Sequence, residues 1–133
     1  MAVMMLVLIS PVSAYADYDT PVEPIDPEDY QVRYISVNHT TSSTHNIGNG
    51  INVTIKLKVT VSGYLEKDTS TGQIISYPTS WLCSVICNRD QNGGYISNVS
   101  FTDHGTYITC SYDFWMTWED NYTVSGSDSF NFS

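Results

Sequence analysis

The residues whose types could carry chemistry in this chain are three cysteines, three histidines and a set of paired acids. A nucleophilic thiol needs an imidazole within hydrogen-bond reach, so Cys83, Cys87 or Cys110 would have to meet His39, His45 or His104. No local motif brings them together, and cysteines on core-facing stripes are inert as nucleophiles. His39 and His45, six apart in a Ser/Thr-rich stretch, supply two imidazoles for zinc, but Cys pairs at ligand spacing are missing. They are expected as exposed loop histidines, and neither a metal nor a cofactor is expected. Asp113 and Glu119 are the acids nearest the Trp-rich segment, and glycoside cleavage would need such a pair across a cleft. The chain has no Gly-x-Ser-x-Gly elbow, no His-Glu-x-x-His, no Walker loop and no Gly-x-Gly-x-x-Gly. The expectation is a protein without catalytic activity.

The cysteines pose a separate question. Cys83 and Cys87 are four residues apart, about 13 Å along a strand at ~3.3 Å per residue, too far to bond to each other. Cys83–Cys110 and Cys87–Cys110 are the intramolecular disulfide candidates, either closing a loop of roughly 25 residues. Such a bridge requires its two strands to be neighbours or to face one another across two layers. The competing reading has all three reduced and buried as small hydrophobes. A third has the odd cysteine pairing with another chain.

The aromatic residues point toward binding. Trp115 falls on the polar parity of its segment beside Asp113 and Thr117, and Tyr107 shares that face. Flat rings flanked by Asn, Asp and Thr suit sugars, because C–H groups pack on the π face while hydroxyls bond to the polar rim. Tyr107 and Trp115 are therefore the candidate ligand-binding residues. Asn38-His-Thr, Asn52-Val-Thr, Asn98-Val-Ser, Asn121-Tyr-Thr and Asn131-Phe-Ser match the N-glycosylation sequon. Ser, Thr and Asn make up about 30% of the chain, so such triplets also arise by chance.

The elements that must position these residues read as strands. Ile51, Val53, Ile55, Leu57, Val59 and Val61 alternate with polar residues, the period of a strand with one wet and one buried face. Gly63–Glu66 can continue it. Asp68–Gly72 is a turn into Gln73–Tyr77, and Pro78 ends that run. Trp81–Asn88 is apolar on both parities, which predicts a central strand. Asn92-Gly93-Gly94 signals a hairpin into Tyr95–Thr102, and Asp103-His104-Gly105 turns into Thr106–Trp118. There Ile108, Cys110, Tyr112, Phe114 and Met116 form the apolar stripe. Glu119–Asn121 turns into a last strand ending at Phe132, with a bulge expected at Gly126 and Asp128. With Tyr30–Val37 before the Asn38–Gly50 loop, the count is about seven.

Ahead of these strands, Ala2–Ile9 is an unbroken apolar run followed by Ser10-Pro11 and Ala14-Tyr15-Ala16, the parts of a secretory signal peptide, though no Lys or Arg precedes them. Cleavage after Ala16 would release a mature chain starting at Asp17. The apolar run is too short to cross a bilayer core of about 30 Å, so no membrane insertion is expected once the signal is cleaved. Residues 17–29 hold six acids and no base, with Pro21, Pro24 and Pro27 at the three-residue turn of polyproline II. They read as an extended linker. The net charge of −9 excludes nucleic acid as a partner, since phosphate binding needs clustered bases, and two thirds of that charge sits in the linker.

Asp103-His-Gly-Thr-Tyr107-Ile-Thr-Cys110 resembles the tyrosine-corner segment of immunoglobulin domains, in which Asp-x-Gly-x-Tyr-x-Cys precedes the second core cysteine. One extra residue separates Tyr107 from Cys110 here, and Trp81 precedes Cys83 instead of following it. The resemblance is one of architecture. The expected organisation is a signal peptide (1–16), a linker (17–29) and an immunoglobulin-like antiparallel β-sandwich of about seven strands (30–133), with a small β-barrel as the alternative. The expected function is a secreted, extracellular binding or surface-interaction module for a glycan or protein. A small secreted antagonist, such as a bacteriocin or inhibitor, is the runner-up.

Overall fold

A computed structural model describes residues 29–88, 92–118 and 122–133. The expected signal peptide, all of the linker but Asp29, and the Glu119–Asn121 turn lie outside the described residues. Seven strands run in order: β1 (Tyr30–Asn46), β2 (Asn52–Asp68), β3 (Ile74–Ser76), β4 (Trp81–Cys87), β5 (Gly93–Asp103), β6 (Ile108–Trp118) and β7 (Tyr122–Phe132). They form two antiparallel sheets that do not close into a barrel, so the architecture is an all-β sandwich.

Sheet A places β2 between β1 on one edge and β3 and β4 in tandem on the other. Sheet B is the meander β5-β6-β7. Each sheet is thus one continuous stretch of chain. An immunoglobulin domain threads its sheets by Greek-key connections instead. The likeness lies in the layering and not in the connectivity.

The core is where the alternation of β2 and β6 places it. Val53, Ile55, Leu57, Val59, Val61 and Leu65 of β2 are fully buried. They meet Ile108, Cys110, Tyr112, Met116 and Trp118 of β6 across the layers, with Phe130 and Phe132 of β7 beside them. Each aliphatic side chain so buried contributes about 1.5–3 kcal/mol relative to exposure. Strand β2 runs unbroken through Gly63, whose φ of 147° lies in the region that favours glycine. A Cβ there would stand 2.6 Å from Cβ of Pro78, so the glycine admits the Pro78 segment against the strand.

Four expectations need correction. First, β1 continues to Asn46, through residues expected as a loop. Its inward positions from His39 onward are His39, Thr41, Ser43 and His45, so no apolar alternation announces the strand. It pairs residue for residue with the strongly apolar β2.

Second, among the described residues β4 is an edge strand paired with β2 alone, and Leu82 and Ile86 are exposed on its outer face. Apolar character on both parities reflects an uncovered patch and not a central position.

Third, Asn92-Gly93-Gly94 makes no hairpin, because β4 and β5 belong to different sheets. Gly94 lies within β5, where a Cβ would come 2.7 Å from Leu57 Cδ2, so this glycine serves a close approach between layers.

Fourth, β7 pairs with β6 in unbroken register through Gly126 and Asp128. Gly126 leaves room for the Phe114 ring, and Asp128 finds partners across the sandwich. The register shift falls in β5 between Ser97 and Ser100, with Asn98 at φ 52°.

Candidate functional site

The outer face of sheet B gathers the polar parity of β5, β6 and β7. On β6 it carries Thr109, Ser111, Asp113, Trp115 and Thr117. Their cross-strand neighbours are Ser97 and Tyr95 on β5 and Ser125, Ser127, Ser129 and Asn131 on β7. Tyr95 stands opposite Trp115 in the ladder, and the two rings stack with centroids 5.4 Å apart and planes inclined by 28°. Cross-strand aromatic pairing of this kind holds both rings in one orientation. Tyr95 is 55% exposed and Trp115 is half-buried, so the stacked pair forms an aromatic platform that keeps apolar ring surface open to solvent.

Two residues along β6 the surface turns polar. The bulge in β5 lets Asn98 reach across, and its Nδ2 donates to Asp113 Oδ2 at 2.8 Å. From the other side Ser127 Oγ donates to Asp113 Oδ1 at 2.6 Å. The Asn98 amide and the Ser127 hydroxyl hold the Asp113 carboxyl below its ordinary pKa, since both donate to the charged form. Around it lies an open depression of about 410 Å³ bordered by Asn98, Ser100, Ser111, Asp113, Ser127 and Ser129. Its rim is made of hydroxyls, an amide and the Asp113 carboxylate, which together donate and accept hydrogen bonds, and Tyr112 and Asp128 complete the lining.

Trp115 thus occupies the expected face, but Tyr107 is not its neighbour. Eight residues of extended chain separate them, roughly 26 Å at ~3.3 Å per residue. Tyr107 stacks instead on His104, with centroids 4.4 Å apart and planes at 16°. That loop is tied to the other sheet, where Ile74 N donates to Gly105 O. The companion of Trp115 is Tyr95, which sequence reasoning passed over. Its only signal was an exposed parity, and its partner depends on a register that includes the bulge.

The histidines expected in an exposed loop are on β1 and face the second sheet. His39 Nε2 lies 3.0 Å from Asp128 Oδ2 on β7, and its ring stacks on Phe130. Thr41 Oγ1 donates to the same carboxylate oxygen and, its hydrogen so engaged, accepts from Tyr112 Oη at 2.8 Å. Burial pushes the Asp128 carboxyl up, but hydrogen bonds from Thr41, His39 and the Ser129 amide outweigh it and leave the pKa lowered. Burial raises the Tyr112 hydroxyl to about 12. His45 stacks on Tyr122 at 3.6 Å between centroids. These contacts join β1 to β7 along one open side of the sandwich.

All three disulfide candidates are free thiols. Cys83 and Cys87 point inward from β4 in sheet A, and Cys110 points inward from β6 in sheet B. Burial raises the Cys83 thiol and takes the Cys110 thiol to about 11, so neither is an activated nucleophile. Among the described residues no three of His, Cys, Asp and Glu converge as metal ligands.

The outer face of sheet A differs in character. Tyr34 and Tyr64 stand opposite each other but pack edge to face, at 82°, and share no common plane. Leu82 and Ile86 are exposed there near Lys56 and Lys58, and Val32 is exposed opposite Glu66 at the other end of β2. A stacked platform beside a hydroxyl-rimmed hollow therefore belongs to sheet B.

No protein-family model matches the chain, and neither the curated proteins nor the solved structures contain a match.

Proposed function

We propose that this chain is a non-catalytic β-sandwich binding module that holds a saccharide on the outer face of sheet B. The Tyr95–Trp115 platform beside the Asp113 depression carries the reading. A sugar ring has an apolar C–H face and a girdle of hydroxyls, and this surface offers one partner for each within two residues of strand. Stacking on a pre-ordered ring loses little conformational freedom, which favours affinity from a small contact area. The depression is open and shallow, which suits a segment of an extended or branched glycan better than an enclosed small molecule. Both oxygens of Asp113 are already engaged by Asn98 and Ser127, an arrangement for orienting a ligand and not for transferring a proton.

The same reading takes the protein as exported, on the strength of the leader-like residues 1–16, so that the face meets glycans outside the cell. The test is a binding screen of residues 17–133 on immobilised polysaccharides and cell-wall preparations, with Trp115→Ala as the control. Retention by the parent and loss in the variant support the proposal. Equal retention of both, or of neither, removes its basis.

A further inference from the structure

Every described Lys and Arg lies on sheet A. Arg33 is on β1, and Lys56, Lys58 and Lys67 are on β2. The three strands of sheet B carry no basic residue and three acids, Asp103, Asp113 and Asp128. Of these, Asp128 turns inward to His39 and Thr41. Asp103 caps the turn to Gly105, its Oδ1 accepting from the Gly105 amide. Asp113 and Asp128 both line the depression beside the platform, and the Asp128 carboxylate is taken up by His39 and Thr41. The described part of the sandwich is therefore electrically two-faced, with its described cations on the layer opposite the candidate site.

We infer that the sheet B face accepts neutral or amine-bearing sugars and refuses acidic ones, with Asp113 as the residue that discriminates. This rests on the saccharide reading above and names the class of sugar that the site takes. A uronic acid, sialic acid or sulfated sugar brings an anion that elsewhere is met by Arg, Lys or a cluster of free backbone amides. Here the charged group in the hollow is itself an anion, fixed in place by Asn98 Nδ2 and Ser127 Oγ, so it cannot swing away. Two like charges about 4 Å apart repel in water enough to cost roughly fivefold in affinity, and more where solvent is displaced. Neutral hydroxyls face no such cost, and they find Ser100, Ser111, Ser127, Ser129 and the Asn98 amide around the rim. An ammonium group would gain from the same carboxylate. Discrimination of this kind works by a built-in repulsion against the wrong ligand as much as by attraction to the right one.

The experiment is a titration of residues 17–133 against matched oligosaccharides that share linkage and stereochemistry: a neutral glycan, its uronic-acid counterpart and its amino-sugar counterpart, for each backbone the screen retains. The expected result is at least tenfold weaker binding of the acidic member, and amino-sugar binding equal to or tighter than neutral. Asp113→Asn should bring the neutral-to-acidic ratio to within about twofold, whatever it does to the affinity for the neutral member. Raising salt on the unmodified protein should shrink the same ratio by screening, a readout that needs no variant to fold. Equal binding of neutral and acidic members by the parent protein overturns this inference and leaves the saccharide reading standing. A ratio indifferent to both salt and Asp113→Asn also overturns it. Failure to bind any saccharide overturns both.

Discussion

His39 on β1 and Asp128 on β7 meet at 3.0 Å across an open side of the sandwich, a hydrogen bond between residues 89 positions apart. Neither β1 nor β7 has a second strand partner among the described residues, so nothing in the backbone ladders joins the two sheets here. Thr41 and Tyr112 add to the same cluster, and Phe130 stacks on the imidazole. A half-buried carboxylate with three side-chain donors near it is worth keeping only while all are present, since each orphaned polar group costs free energy.

Asp128→Ala should therefore lower stability by about 1–3 kcal/mol, the usual cost of stranding hydrogen-bonded partners. In a domain of this size that corresponds to a melting temperature lower by roughly 5–15 °C. Thermal melts of the two proteins under one buffer condition provide the check. An unchanged midpoint would show that the cluster is dispensable.

The same carboxyl gives the stability a pH dependence of known sign. Its pKa in the folded protein lies below the ordinary value of 3.8. Folding therefore favours the ionised form, and the stabilisation is complete above the unfolded pKa. It is lost as pH falls through the folded value. Melting temperatures from pH 7 down to pH 2 should fall more steeply below about pH 4 in the parent than in Asp128→Asn. Parallel curves would mean that Asp128 does not contribute to the acid limb.

Gly63→Ala should destabilise by about 2 kcal/mol or more, because the new Cβ meets both an unfavourable φ and the Pro78 ring. Chemical denaturation would measure it. Pairing it with Pro78→Ala should recover part of the loss, the part due to collision. The remainder belongs to the backbone.

Thiol reactivity separates the three cysteines. In the native protein Cys83 and Cys87, half-buried at the sheet edge, should react slowly with a thiol reagent, and Cys110 not at all. Three equivalents should appear in denaturant without a reductant. A single equivalent would mean that a disulfide had formed between the two layers.

Much of the fold was legible, and the exceptions have physical reasons. Strands β2 and β6 announce themselves because each buries one face, so Val53 to Val61 and Ile108 to Met116 alternate without a break. The second half of β1 hides because its inward residues are polar, and His39, Thr41 and His45 meet Asp128, Tyr112 and Tyr122, partners too distant in sequence to be foreseen. Trp115 stood out by parity on a readable strand. Tyr95 did not, because the pairing that sets it against Trp115 is a matter of cross-strand register, and Tyr107, on the same parity, lies too far along the chain to join them.

The central claim is that one stacked pair, Tyr95 with Trp115, is the sugar-contacting surface. The most direct measurement compares saccharide affinity for Tyr95→Ala, Trp115→Ala and Tyr107→Ala, with circular dichroism confirming that each variant is folded. The expected result is a loss of about tenfold or more for Tyr95→Ala and for Trp115→Ala, in line with roughly 1–2 kcal/mol for a stacking contact, and no change for Tyr107→Ala. Equal affinity in all three variants, or a loss confined to Tyr107→Ala, would contradict the account.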